Sequence, residues 1–272
     1  MAVSAARPLT VLESGTLAAY WRFHSAVAQA QLAAWLPGGC CTVVDISGPR
    51  ACSAAQAAAA GHQVIRVTWH TAGPAAARGP APLPDGSRQA RAGPRSGKVI
   101  TVAADPGTLA CLADRSADLV IADDSALSRH LMAEDVAAEI ARVLRPGGSL
   151  LACVDSLVLG MAILAEQHRW AHLTDLPHAE VVLIPWPDGT ITRCFGASQF
   201  RDLLTEAGLE PRWIRPRTVL SPSTVDHILR RNPAAIGRLV RAELAAWADG
   251  PAAGDSDDSF GIHLLAAARK PG

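Results

Sequence analysis

Short apolar runs alternate with helix-period segments along most of the chain. Residues 42–46 (TVVDI) are β-branched and apolar, and too few for a helix, so they predict a buried strand. A tight loop follows over 47–50. Residues 51–60 are nearly all alanine and glutamine, which favours helix, and Gly61 is the expected stop. Residues 63–67 predict a second strand. Strand, loop, helix and strand in that order make the first unit of a parallel sheet. Ligands in such sheets sit beyond the carboxyl ends of the strands, where Asp45 lies.

The pattern continues in the same sense. Residues 99–104 predict a third strand ending at Asp105, and 118–122 a fourth ending at Asp123, Asp124 and Ser125. Residues 134–144 carry Val136, Ile140, Val143 and Leu144 on one helical face, and Pro146-Gly147-Gly148 stops that helix. Residues 149–154 predict a fifth strand ending at Asp155. A helix over 157–170, a hairpin over 180–195 turning at Pro187-Asp188-Gly189, and a Ser198-capped helix over 198–208 come next. Residues 213–219 and 261–267 predict the last two strands, with helices over 223–230 and 233–247 between them. At the start, 13–36 predicts helix, with Leu17, Tyr20, Trp21, Phe23, Val27 and Leu32 near helical spacing. Tyr20, Trp21, Phe23 and His24 either touch a substrate or pack this helix on the sheet.

Composition narrows the picture. The 272 residues are 49% hydrophobic and 18% charged, ample for a sizeable core. Net charge is zero, which leaves no electrostatic footprint for nucleic acid or an anionic membrane. The first residues lack the apolar core of a signal peptide, and no apolar run approaches a membrane span, so a cytoplasmic protein is expected. Six cysteines show no metal spacing and read as reduced, core-like thiols. Residues 71–98, rich in Pro, Gly, Ala and Arg, read as a flexible insertion.

The stretch from Asp45 to Ala51 resembles the first motif of class I S-adenosylmethionine (SAM) methyltransferases, D-x-G-x-G-x-G. Asp45 matches, while Ser47, Pro49 and Ala51 stand at the three glycine positions. After the second strand the chain runs Arg66, Val67, Thr68, Trp69, where that family commonly has a ribose-binding acid. The segment ADLVIADDSALSRHLMAEDVAAEIARVLRPGGSLLACVDS is similar to the family's fourth and fifth motifs. The resemblance implies a Rossmann-like α/β fold, with a seven-stranded, mostly parallel sheet and an antiparallel last strand. It implies a single domain over 1–272, with a helical cover over 1–39 and a helix-plus-hairpin insertion over 157–197. It also implies that Asp45, Ser47, Gly48, Asp105 and Asp123 meet SAM, Asp105 at the adenine amino group. The altered loop leaves two expectations for the cofactor, SAM or none.

Asp45, Asp105, Asp123 or Asp124, and Asp155 fall at the ends of four strands and should face one crevice. They bind SAM, bind an amine-bearing substrate directly, or cap helices. Arg50, Arg129 and His130 follow the same ends and suit an anionic leaving group. The expected catalytic groups are Asp45, Asp124 and His130. Tyr20, His24, Arg50, Arg129 and Asp155 are the expected substrate contacts. Loss of the loop glycines points first to a SAM-independent displacement or ring closure of the aziridine type on a small molecule of specialised metabolism. SAM-dependent methyl transfer to a small molecule is the alternative, and a non-catalytic partner subunit the third. The expected partners are a small-molecule substrate and either a small protein or a second copy of the chain, with no nucleic acid and no membrane.

Overall fold

The computed structural model describes residues 18–48, 50–68, 97–175, 179, 181–186, 189–249 and 261–272. The predicted insertion up to residue 96, the turn residues Pro187 and Asp188, the acidic segment 255–258 and the first residues of the N-terminal helix lie outside them. Helix α1 is Ala18–Trp35. Strand β1 (Thr42–Asp45), helix α2 (Ser53–Ala59), strand β2 (Gln63–Thr68), strand β3 (Lys98–Ala103) and strand β4 (Ala117–Ala122) follow. Helix α3 (Ala133–Val143) leads into strand β5 (Leu144–Asp155). Helices α4 (Leu157–Glu166) and α5 (Trp170–Asp175) precede a separate hairpin of β6 (Val182–Pro185) and β7 (Ile191–Cys194). The chain closes with α6 (Ala197–Glu206), β8 (Glu210–Pro216), α7 (Pro222–Arg231), α8 (Ile236–Asp249) and β9 (His263–Arg269).

Seven strands form one sheet in the order β3-β2-β1-β4-β5-β9-β8. The first five are parallel, and β9 runs antiparallel to both its neighbours, as the sequence predicts. Strand order reverses between β1 and β4, so the ligand crevice of an open α/β sheet belongs beyond Asp45 and Ala122. Successive residues face opposite sides. Val44, Val120 and Leu150 pack with Val136 and Ile140 of α3, whereas Val43, Leu119 and Leu151 pack with Ala54, Ala57 and Leu32 of α2 and α1.

Two predicted boundaries differ for physical reasons. Pro146-Gly147-Gly148 does not break β5 from its preceding residues. The β4 ladder jumps from Ala117–Leu144 to Leu119–Ser149, so these residues form a bulge, with Gly147 at φ 78°. Ser198 lies inside α6 rather than capping it. Gly196 precedes the helix, and its N–H donates to Gln199 Oε1 at 2.9 Å. The cysteines also divide differently. Cys153 and Cys194 are buried, but Cys40, Cys52 and Cys111 are exposed.

Helix α1 has two working faces. Tyr20, Phe23 and Val27 are buried against Val225 and Leu229 of α7. Burying Phe23 and Val27 contributes roughly 1.5–3 kcal/mol each, enough to make α1 a fixed wall. Trp21, His24 and Ala28 look the other way, into a cavity over the sheet.

Candidate active site at the strand ends

Strand direction decides what the cavity contains. β1, β4 and β5 end there. β8 runs with them, so Arg217, one residue past its end, arrives at the same edge. β9 runs against them, so its first residue, His263, sits there too, paired with Asp155 in the ladder. The cavity has a volume of about 160 Å³, between α1, the loop before α2 and these strand ends.

The loop after β1 is closed on itself. Ser47 N–H donates to Asp45 Oδ1 at 2.8 Å, and Ser53 Oγ donates to Asp45 Oδ2 at 2.8 Å. Gly48 N–H donates to the Asp123 carbonyl at 3.1 Å, Arg50 N–H to Asp124 Oδ2 at 3.2 Å, and Ala51 N–H to the Gly48 carbonyl at 3.1 Å. Pro49 has no N–H to offer. Asp124 also accepts from Arg50 Nη2 at 3.0 Å and from Arg129 Nη2 at 3.2 Å. This clasp rests on Gly48: a Cβ there would lie 2.2 Å from Arg129 Nη1 and 2.3 Å from Asp124 Oδ2. Burial alone would raise the Asp124 pKa, but Arg129 and Arg50 outweigh it and hold the carboxyl below its usual range. Asp124 and Ser125 carry φ of 52° and 56°. The left-handed backbone costs non-glycine residues roughly 1 kcal/mol each, so the clasp holds a strained turn.

The other side of the cavity is built differently. Asp155 Oδ1 accepts from Ser125 Oγ at 2.5 Å and lies 3.5 Å from His263 Nε2. Burial pushes the Asp155 carboxyl up to about 6. Burial, then Arg217, pushes His263 down to about 3, so its ring is neutral. His24 is also lowered, by burial and then by His263, whose ring centroid is 4.9 Å away. Arg217 is 2% exposed and donates to Asp123 Oδ1 at 2.7 Å. Four buried polar atoms here have no hydrogen-bond partner: Trp21 Nε1, His24 Nε2, His263 Nδ1 and Arg217 Nε. An orphaned buried polar group costs roughly 1–3 kcal/mol, so a ligand that met these four would offset that cost.

His24, Arg50, Asp123 and Asp124 line the cavity. Asp45 does not; it is fully buried beneath the loop it organises. Burial raises its pKa, opposed by its bonds from Ser47 and Ser53. Tyr20 is buried on the packing face of α1, with its hydroxyl 3.0 Å from Thr218 Oγ1. Ser47 bonds the Asp123 N–H at 2.9 Å, and Gly48 lies under the clasp. Arg129 reaches the cavity only through Asp124. Asp155 stands behind Ser125 and His263. Asp105 and His130 meet elsewhere, at a corner after β3. There the Asp105 carboxylate accepts from Gly107 N–H at 2.7 Å and faces His130, whose pKa burial lowers against the pull of Asp105. His263 and Arg217 are absent from the sequence expectations. The signal that could have found them is the antiparallel last strand, which brings a strand-opening residue to the edge where parallel strands end. Among the described residues no group of three His, Cys, Asp or Glu side chains could hold a metal ion, and no helix is long and apolar enough to cross a membrane.

Residues 54–152 match the family model of a methyltransferase domain. No curated protein matches the chain. Among solved structures, a SAM-dependent methyltransferase from Methanosarcina mazei aligns at 15% identity and a TM-score of 0.54, covering 89% of this chain and 97% of that one. A SAM-dependent methyltransferase from Mesorhizobium loti aligns at 15% identity and 0.52, covering 91% and 100%. The Burkholderia thailandensis 1,6-didemethyltoxoflavin N1-methyltransferase, solved with its substrate and S-adenosylhomocysteine, aligns at 18% identity and 0.51, covering 100% and 94%. At these identities the likeness is one of fold.

Proposed function

We propose that this chain, whose residues 54–152 match a methyltransferase domain, is a small-molecule enzyme that uses the fold for a SAM-independent intramolecular displacement. The substrate carries an amine and an anionic leaving group, and ring closure onto an adjacent carbon gives an aziridine. One observation carries the reading: the Arg50–Asp124–Arg129 clasp occupies the space over Gly48, and the described N–H groups of the loop are bonded within the protein. A cofactor seated on that loop would have to displace the clasp. A substrate anion needs only to replace Asp124 between two arginines that are 42% and 35% exposed.

In the reaction the amine nitrogen attacks the carbon bearing the leaving group. The N–C bond forms as the bond to the leaving group breaks, and its electron pair departs with the anion onto Arg50 and Arg129. The freed Asp124 carboxylate holds the ammonium of the incoming substrate. A base in the site first takes one proton from that ammonium, which frees the nitrogen lone pair for attack, and the ring product forms as the protonated aziridine, which then releases its extra proton to solvent. Orientation supplies most of the acceleration in such a closure.

Calorimetric titration of SAM and S-adenosylhomocysteine is the test. No heat at millimolar ligand supports the reading. Micromolar binding followed by methyl transfer would overturn it. The second reading, SAM-dependent methylation of a small molecule, has its own support. The methyltransferase domain match spans 54–152, and Asp105 stays exposed where the family's adenine contact is expected.

A further inference from the structure

The four unpartnered atoms of the cavity wall form a pattern that a ligand can complete. Asp155 faces His263 Nε2. A carboxylate 3.5 Å from Nε2 favours the ring proton on that nitrogen, which would leave Nδ1 as an acceptor. Trp21 Nε1 and Arg217 Nε can only donate. The rings of Trp21 and His24 lie 6.0 Å and 4.9 Å from that of His263, so these atoms share one small space. His263 is 8% exposed and Arg217 2%, and neither His263 Nδ1 nor Arg217 Nε has a hydrogen-bond partner, the Arg217 guanidinium otherwise meeting Asp123 and the Cys153 thiol. The complement is a group that offers an acceptor oxygen beside an N–H.

We propose that His263, oriented by Asp155, is the proton acceptor of this site, and that Trp21 and Arg217 hold the carboxylate of an α-amino-acid substrate beside it. The inference rests on the displacement reading and names its base and substrate class. The substrate ammonium delivers one proton to His263 Nδ1 before the N–C bond forms. The imidazolium keeps its Nε2–H on Asp155, and the leaving anion takes the electron pair of the breaking bond. Arg217 and Arg50 both face His263 and hold down its basicity, in addition to burial. A substrate carboxylate on Arg217 and a leaving anion on Arg50 cancel those two charges, so the base gains strength only when the site is loaded.

Nitrogen-15 NMR of histidine-labelled protein tests the base directly. A neutral His263 protonated on Nε2, whose Nδ1 signal moves when O-phospho-L-serine is added, is expected. An Nδ1-protonated ring overturns the proposal. The carboxylate is tested with two probes. O-phospho-L-serine should bind at least about tenfold more tightly than O-phosphoethanolamine, which lacks the carboxylate. That ratio should fall towards one in Trp21→Phe, which keeps the ring and removes the N–H. Equal affinity in the unaltered protein, a ratio unchanged in the variant, or no binding of either probe overturns the assignment. Phosphate release from O-phospho-L-serine should drop about a hundredfold or more in His263→Gln at little change in KM. If His263→Gln does not fold, Asp155→Asn carries the same test through loss of the Nε2-protonated form. Should SAM prove to bind, the displacement reading falls, while the tautomer and the probe ratio still decide this inference.

Discussion

The two sides of one crevice are built on opposite plans. On the β1 side the N–H groups of Ser47, Gly48, Arg50 and Ala51 and the Asp45 carboxylate have partners within the chain, and an ion-pair clasp fills the space above Gly48. On the β5–β9 side four buried polar atoms have none. Folding stability favours the first arrangement and disfavours the second. The difference teaches where to look for function. In this fold the loop most readable as a motif has its Ser47, Gly48, Arg50 and Ala51 N–H groups bonded within the chain, while four unmet polar atoms lie around His263.

Four measurements break or sharpen that contrast. Asp123→Ala should have the largest effect, because it leaves the Arg217 guanidinium buried and unpaired. A loss of about 3–5 kcal/mol is expected in urea unfolding. A loss below about 1 kcal/mol would show that Arg217 finds water or another partner. Gly48→Ala comes next, at about 2 kcal/mol, because the new methyl meets the Asp124 carbonyl oxygen at 2.7 Å as well as two movable side-chain tips. Unchanged stability would mean that the clasp is loose.

The third is a pH dependence. His263 has its folded pKa lowered to about 3, so its stabilising share is complete above its unfolded value and is lost as pH falls through that range. Between pH 7 and 5 that loss is about 2 kcal/mol. Asp155, raised to about 6, works the other way: its share is present at low pH and is lost as pH rises towards 6. Acidification over the same interval therefore returns about 1 kcal/mol. The protein should lose stability on going from pH 7 to 5, since His24 and His130, also lowered by burial, act in the same direction as His263, and His263→Gln should lessen that loss by about 2 kcal/mol. Chemical unfolding at the two pH values reads this directly. The smallest effect on stability should come from Asp124→Ala, below about 1 kcal/mol, since both arginines are partly exposed. The same variant should take up S-adenosylhomocysteine more readily than the parent protein, because the space over Gly48 opens. Unaltered affinity would show that the clasp is not what closes the loop.

The fold was legible because strand runs such as 42–46 and 118–122 carry both an apolar pattern and a strand-end acid, and their order admits few topologies. The bulge at Pro146–Gly148 was not, since whether such a triplet ends a strand or swells it depends on the neighbouring ladder. The site was legible by halves. His24, Arg50 and Asp124 reach the cavity from positions that linear reasoning marks. Asp45 is legible as a strand-end acid, but its partners Ser47 and Ser53 decide that it faces inward. The split of α1 into a packed face with Tyr20 and a cavity face with Trp21 needs the position of α7. His263 was hidden because its significance comes from a register, Asp155 opposite His263, between strands far apart in the chain.

That register ties the His263–Asp155 pair to the closing of the sheet. β9 inserts between β5 and β8, so the sheet is two separate pieces until the last strand arrives. A slip of one residue in β9 would turn His263 to the other face and take its imidazole away from Asp155. A chain whose β9 has not yet paired can hold its parallel strands together, but it has no imidazole beside Asp155. Recovery of turnover after refolding should therefore lag behind recovery of helical signal, and the delay times the closing of the sheet.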